Sequence, residues 1–221
     1  MEQIKNYLKD QWNSSWKFPI NTLTVGVLLF SIVLNLGGRK LASVLTLPFW
    51  LDTVGTLLSA VLYGPLAGMI VAIFSNALVG LQDVVSFYYI IVAVSIGFVV
   101  GVFYPQGKKI DMFSGIATSV GAGVIAVLIS TPLNLYFYDG YTGNIWGDGL
   151  YNMLSMDIHV KWVCAVLGEA FVDVPDKALS VTIALLLVMA ARKLKPREER
   201  RLMMLIVGAS ALLIPFHDVR A

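Results

Sequence analysis

Residues 48–80 read PFWLDTVGTLLSAVLYGPLAGMIVAIFSNALVG, two apolar runs hinged on Tyr63-Gly64-Pro65. A Gly-Pro pair at such a junction marks a tight turn. The stretch therefore predicts two helices back to back, Pro48–Tyr63 and Pro65–Gly80, with one charge, Asp52, at the start. An apolar helix needs about 20 residues to cross the hydrocarbon core, so the first of these is short for a span. Further runs lie on either side: Ile20 to Gly37, Ser86 to Tyr104, Asp111 to Tyr136, and Val160 to Ala191 with Pro175 inside it. The expected fold is an all-α, polytopic membrane bundle of about six transmembrane helices.

Composition agrees. Hydrophobic residues make up 57% of the 221 and charged residues 14%, well below the roughly 25% charge of a soluble domain. The basic residues form no nucleic-acid patch, and the lone Cys164, in an apolar run, reads as a packed side chain. No charged leader with a small-residue cleavage site stands at the start, so no signal peptide is expected to be removed.

Lysine and arginine placement sets the orientation. With six spans, Lys5, Lys9, Lys17, Lys108, Lys109 and the cluster from Arg192 to Arg201 all fall on one side. The other side holds Arg39, Lys40 and Lys161 among Asp83, Asp139, Asp148 and Asp157. The N-terminus and the end of helix six are then cytoplasmic. Three regions follow. Residues 1–19 carry Ile4, Leu8, Trp12 and Trp16 at four-residue spacing, the pattern of an interfacial amphipathic helix against membrane lipid. Residues 20–192 form the membrane domain. Residues 193–221 are a basic cytoplasmic tail with a short apolar, membrane-associated segment, Leu202–Pro215.

Small residues recur four apart at Gly64, Gly68, Ala72, Asn76 and Gly80, at Gly97 and Gly101, and at Gly115, Ser119 and Gly123. Such stripes let helices approach closely in lipid. They serve bundle packing or docking onto another subunit.

Polar residues inside apolar runs carry the functional reading, because an ionisable group in the bilayer is costly and usually lines a cavity or pathway. Gly168-Glu169-Ala-Phe-Val-Asp173-Val-Pro-Asp176-Lys177 is the densest set. Helical spacing places Trp162, Glu169, Asp173 and Asp176 on one face, and Lys177 four residues after Asp173 in ion-pairing order. Either this is a self-compensating network with Pro175 in a helix's first turn, or Glu169 and Asp173 line a ligand site. Asp52 stands in the first turns of span two, where the helix dipole favours a carboxylate. Asn76, Gln82 and Asp83 end span three, and Asn134, Tyr136 and Tyr138 end span five. Asp157, His159 and Trp162 open span six. All fall at the outer face and describe a mouth of acceptors and rings. His159 has no second histidine or cysteine at ligand spacing, so no metal is expected. The chain carries no Gly-rich phosphate loop, nucleophile elbow or HExxH motif, and reads as neither an ATPase nor an enzyme.

Phe49–Asn76, and above all its YGPLAG turn, resembles the second and third helices of substrate-binding S components of energy-coupling factor (ECF) transporters. The size, the six-span plan and the Asp173-Val-Pro-Asp-Lys177 segment are similar too, over residues 20 to 192. The resemblance implies a cell-membrane subunit, without cofactor, that captures a vitamin-like heterocycle from outside under a lid, here Arg39 to Pro48. It also implies docking onto a T subunit driven by two cytoplasmic ATPases. Family members often carry an AxxxA pair on helix one for the T subunit; this chain has Ser31-xxx-Asn35 and then Gly38-xxx-Ala42. Acidic candidates beside aromatic rings suit a flat, donor-rich heterocycle, cationic or not, better than a polyanion. A ligand sensor or a small autonomous secondary transporter fits the same composition. The first has little chain for an output domain, and the second lacks the inverted repeat expected of it.

The topology makes a direct prediction. Cysteine at Asp157 labels with an impermeant maleimide from outside intact cells, and cysteine at Lys108 labels only after the membrane is opened. Labelling of both from one side overturns the even-span plan.

Overall fold

The computed structural model describes residues 16–104 and 112–193. They form seven α-helices and one 3-10 turn, and no strand occurs among the described residues. The helices are α1 (Thr22–Val44), α2 (Val54–Tyr63), α3 (Pro65–Gly80), α4 (Ile90–Phe103, preceded by the 3-10 turn Val84–Phe87), α5 (Met112–Tyr138), α6 (Ile145–Ser155) and α7 (Lys161–Lys193). Four segments are long and apolar enough to cross a membrane: α1, the turn plus α4, α5, and α7 up to Ala191. The shorter α2 and α3 are apolar as well. The expected amphipathic helix at 1–19 lies almost entirely outside the described residues, and Leu202–Pro215 lies wholly outside them.

The distribution of side chains is that of a bundle surrounded by lipid. Leu29, Ile116, Val120, Val124, Leu128, Phe171 and Leu186 face outward, while Ser31, Asn35, Thr56, Ser59, Ser75, Thr131 and Asn134 are buried. A bundle in lipid gains little from burying more hydrocarbon, so hydrogen bonds and close backbone contact hold the helices together. The contacts fall where the small residues are. A Cβ at Gly68 would sit 3.2 Å from Gly97, one at Gly101 would sit 2.3 Å from Pro65, and one at Gly123 would meet Val174 at 3.4 Å. The α3, α4 and α5 stripes are therefore spent inside the bundle. So is the α1 face that carries Ser31, Asn35 and Ala42. All three are buried, and a Cβ at Gly38 would sit 2.0 Å from the Leu51 carbonyl oxygen.

The sequence reading is corrected at four places. Span two is not helical from Pro48: the chain runs irregularly from Leu45 to Thr53, and helix begins at Val54. Asp52 thus precedes α2 rather than standing in its first turns. The lid expected at Arg39–Pro48 is half helix, since Arg39 to Val44 complete α1; the irregular stretch is 45–53. Pro175 lies mid-helix in α7, not in a first turn, because a membrane helix can lose one backbone bond where neighbours compensate. Finally, a helix that no apolar run announced, α6, forms between the fifth and sixth runs, capped by Asn144, whose side chain accepts from Trp146 N–H.

Irregular backbone inside such a bundle must find partners for its N–H groups. Two side chains provide them. Asn35 of α1 accepts from Gly55 N at 2.7 Å and Thr56 N at 3.4 Å, and donates to Thr56 Oγ1 and Ser75 Oγ at 2.9 and 3.1 Å. It caps α2 from a neighbouring helix, and the Thr53 side chain makes no cap bond. Asp176 of α7 accepts from Trp50 N and Leu51 N at 3.1 and 2.8 Å. Gly55 permits the approach, since a Cβ there would lie 1.8 Å from the Ser31 carbonyl oxygen.

Replacing Asn35 with alanine leaves buried donors and acceptors unpaired on α2 and α3. It should cost about 2–4 kcal/mol, measured as reduced resistance to unfolding in detergent micelles. Gly55→Ala should be at least as damaging, through backbone collision.

Candidate functional site

A cavity of about 290 Å³ opens among the ends of the helices. Its wall is drawn from the C-terminal parts of α1, α3 and α5, the N-terminal part of α4 and the middle of α7, with Trp50, Asp52 and Thr53 from the segment before α2, Asp83 and Ser86 from the 3-10 turn and its cap, and Thr142 and Gly143 from the loop before α6. In a chain of alternating helix directions these ends share one side of the bundle.

Of the residues expected at a site, the structure brings together Asp52, Asn76, Asp83, Asn134, Glu169 and Asp173 on this wall. Five others lie off it. Gln82 is exposed beyond the end of α3. Tyr136 is 83% exposed, because two residues from Asn134 is about 200° around the helix, whereas Tyr138, a full turn on, reaches the wall. Asp157 and His159 point outward from the α6–α7 turn, where Ile158 packs on Tyr151, Cys164 and Ala165. Trp162 shares the angular face of Glu169 but stands about 10 Å further along the axis, and is exposed. Cys164 is buried there, donating to the Ile158 carbonyl.

The wall also contains residues that spacing did not single out: Arg39, Trp50, Thr53, Ser86, Tyr89 and Ser130. A signal existed for Ser130, which lies four residues before Asn134 and so on the same face. Tyr89 stands at the mouth-side start of span four, where an aromatic residue is expected as an interface anchor, which hid it. Trp50 reaches the wall only through the irregular segment 45–53.

Hydrogen bonds fix the polar side chains. Tyr89 Oη donates to Asn134 Oδ1, and Asn134 Nδ2 donates to Glu169 Oε2 at 2.8 Å. The tyrosine thereby orients the amide so that its donor end meets the carboxylate. Ser130 Oγ lies 3.4 Å from Asp173 Oδ2. Lys177 is the central cation, 2.5 Å from Asp176, 3.7 Å from Asp173 and 3.8 Å from Asp52. It does more than neutralise Asp173: it ties α7 to the segment that leads into α2. Asp83 accepts from Val85 N and Ser86 Oγ and so starts the 3-10 turn.

Over the cavity the two connecting segments are joined. Asn144 Nδ2 donates to the Leu47 carbonyl at 3.1 Å, and Trp146 Nε1 to the Thr46 carbonyl at 2.8 Å. Asp148 holds the far segment in shape by accepting from Thr142 N and Oγ1 and from Gly143 N. At the rim, Lys161 pairs with Asp139, and burial pushes the Tyr151 hydroxyl above its ordinary pKa.

Comparison with protein-family models, with curated proteins and with solved structures gave no match.

The ion network is testable by a double-mutant cycle. Lys177→Met leaves Asp173 and Asp176 facing each other without their cation and should cost about 3–5 kcal/mol. Adding Asp173→Asn should restore part of that loss, read from unfolding in detergent.

Proposed function

We propose that this chain is the membrane-embedded capture subunit of an ECF-type importer, spanning the cell membrane about six times with both flanks cytoplasmic. It binds a vitamin or vitamin-precursor-like molecule from outside. It releases the molecule inside when coupled to a T subunit and two cytoplasmic ATPases. The observation that carries this reading is the cavity: about 290 Å³, walled by five helices and the segments that join them, with buried polar side chains beside Trp50, Tyr89 and Tyr138. Small-molecule sites combine an enclosed, largely apolar wall with a few convergent polar groups, and aromatic faces suit a flat ring.

The arrangement of the mouth supports capture from one side. With the positive-inside orientation of the sequence, the helix ends around the cavity face outward, and segment 45–53 lies over them. The resemblance of Phe49–Asn76 to the second and third helices of S components supplies the partners. No polar face of α1 is left over for them at Ser31, Asn35 and Ala42, which are buried. Contact with a T subunit then falls on the apolar outer surfaces instead.

The test is mass spectrometry of small molecules released from gently purified protein, followed by titration of the compound found. A vitamin-like heterocycle bound at one per chain, with T-subunit and ATPase proteins co-purifying from the native membrane, is the expected result. A chain that retains no solute and purifies without those partners overturns the proposal, and partner-free uptake by the chain alone points to a secondary transporter.

A further inference from the structure

Charge is unequally distributed around the cavity. Asp52, Asp83, Glu169 and Asp173 line it against Arg39 and Lys177. Lys177 is already committed, because Asp176, behind the wall, holds it at 2.5 Å. Asp83 is engaged with its own turn through Val85 N and Ser86 Oγ. Asp52 and Asp173 stand 3.8 and 3.7 Å from that same ammonium, and Glu169, one turn before Asp173 on α7, has no cation within 4 Å among the described residues; both α7 acids are 3% exposed. Glu169 accepts from the neutral Asn134 amide, and Ser130 Oγ, which donates to the Ala126 carbonyl at 2.7 Å, lies 3.4 Å from Asp173.

A second observation comes from the segment before α2. Thr53 lines the same cavity and is 3% exposed, and its hydroxyl has no hydrogen-bond partner among the described residues. The hydroxyl is spare because Asn35 performs the capping of α2 that an N-cap threonine ordinarily does. A buried hydroxyl left unpaired costs stability unless something supplies the bond.

We propose that the cavity takes a compact organic cation, a protonated amine or amidine on a flat ring, with its charged N–H groups on Glu169 and Asp173 and a polar atom on the Thr53 hydroxyl. The proposal rests on the reading of the cavity as a solute-capture site and commits that reading to one sign of charge. Two carboxylates at this depth favour a cation over any neutral ring of the same shape, and repel an anion. Trp50 and Tyr138 offer ring faces to the same cation. The volume, at the low end for ligand cavities, suits a molecule of one or two rings.

The test uses the full chain in detergent micelles and three probes of one shape: para-(hydroxymethyl)benzylammonium, para-benzenedimethanol and para-(hydroxymethyl)benzoate. Binding is followed by tryptophan fluorescence and by melting temperature. The ammonium should bind about tenfold tighter than either of the others. Glu169→Gln and Asp173→Asn should each remove most of that preference, and Thr53→Val should weaken the ammonium about fivefold. Melting without probe shows which variants fold, and the ranking on the unaltered chain is decisive by itself. Equal or tighter binding of the alcohol or the benzoate overturns the inference, as does failure of the ammonium to bind. An ammonium affinity indifferent to all three folded variants overturns it too. The outcomes separate from those of the capture reading. A neutral or anionic solute retained by the native protein leaves capture standing and removes the cation assignment. The predicted probe ranking with no retained solute does the reverse.

Discussion

From Leu45 to Thr53 the chain passes into the bundle without a helix, and two side chains from other helices hold amides there and in the first turn of α2 that follows. Asp176 accepts from Trp50 and Leu51, and Asn35 accepts from Gly55 and Thr56. In water these N–H groups would cost nothing to leave open. Inside a bundle surrounded by hydrocarbon each would cost several kcal/mol. Everything near the cavity follows from that constraint. Asp176 needs a counter-charge, which Lys177 supplies, and Lys177 in turn stands within 4 Å of Asp173 and Asp52. Asn35 frees Thr53 from capping, and α2 can begin late enough to leave open space among the helix ends.

The same requirement explains why the polar residues sit inside and the apolar ones outside. The helices meet through backbone, as at Gly55 against Ser31 and Gly101 against Pro65, and through paired polar side chains. Where that close packing stops, at one end of the bundle, the polar side chains face a cavity instead of each other. The Tyr89–Asn134–Glu169 chain keeps them ordered there: the tyrosine hydroxyl occupies the amide oxygen, which leaves the amide N–H to the carboxylate.

Much of the helical plan was legible. The segments α4, α5 and α7 coincide with apolar runs to within a few residues, because a lipid-facing helix must be apolar over most of its circumference; α1 runs on past Gly37 to Val44. Glu169 and Asp173 stood out for the complementary reason, that charge in such a run is expensive. Angular position around a helix was missed even within α5: the sequence reading groups Tyr136 with Asn134 and Tyr138, but Tyr136 faces away while they share the wall. Position along the axis was missed too, as exposed Trp162 shows. The irregular stretch 45–53 hid as well, since Pro48-Phe-Trp-Leu is as apolar as any helix and its hydrogen-bond partners lie more than a hundred residues away in α7 or on α1.

The amino-acid sequence by itself determined an all-α chain with helices fit for a membrane and costly acids near one end of the last of them, because hydropathy and helical period are local properties. Only the tertiary structure decided which acids converge, that α2 starts at Val54 and not at Pro48, that α6 exists, and that Thr53 faces a cavity with its hydroxyl unspent. Those outcomes depend on hydrogen bonds and close contacts between separate helices. Neither composition nor spacing records which helix stands beside which.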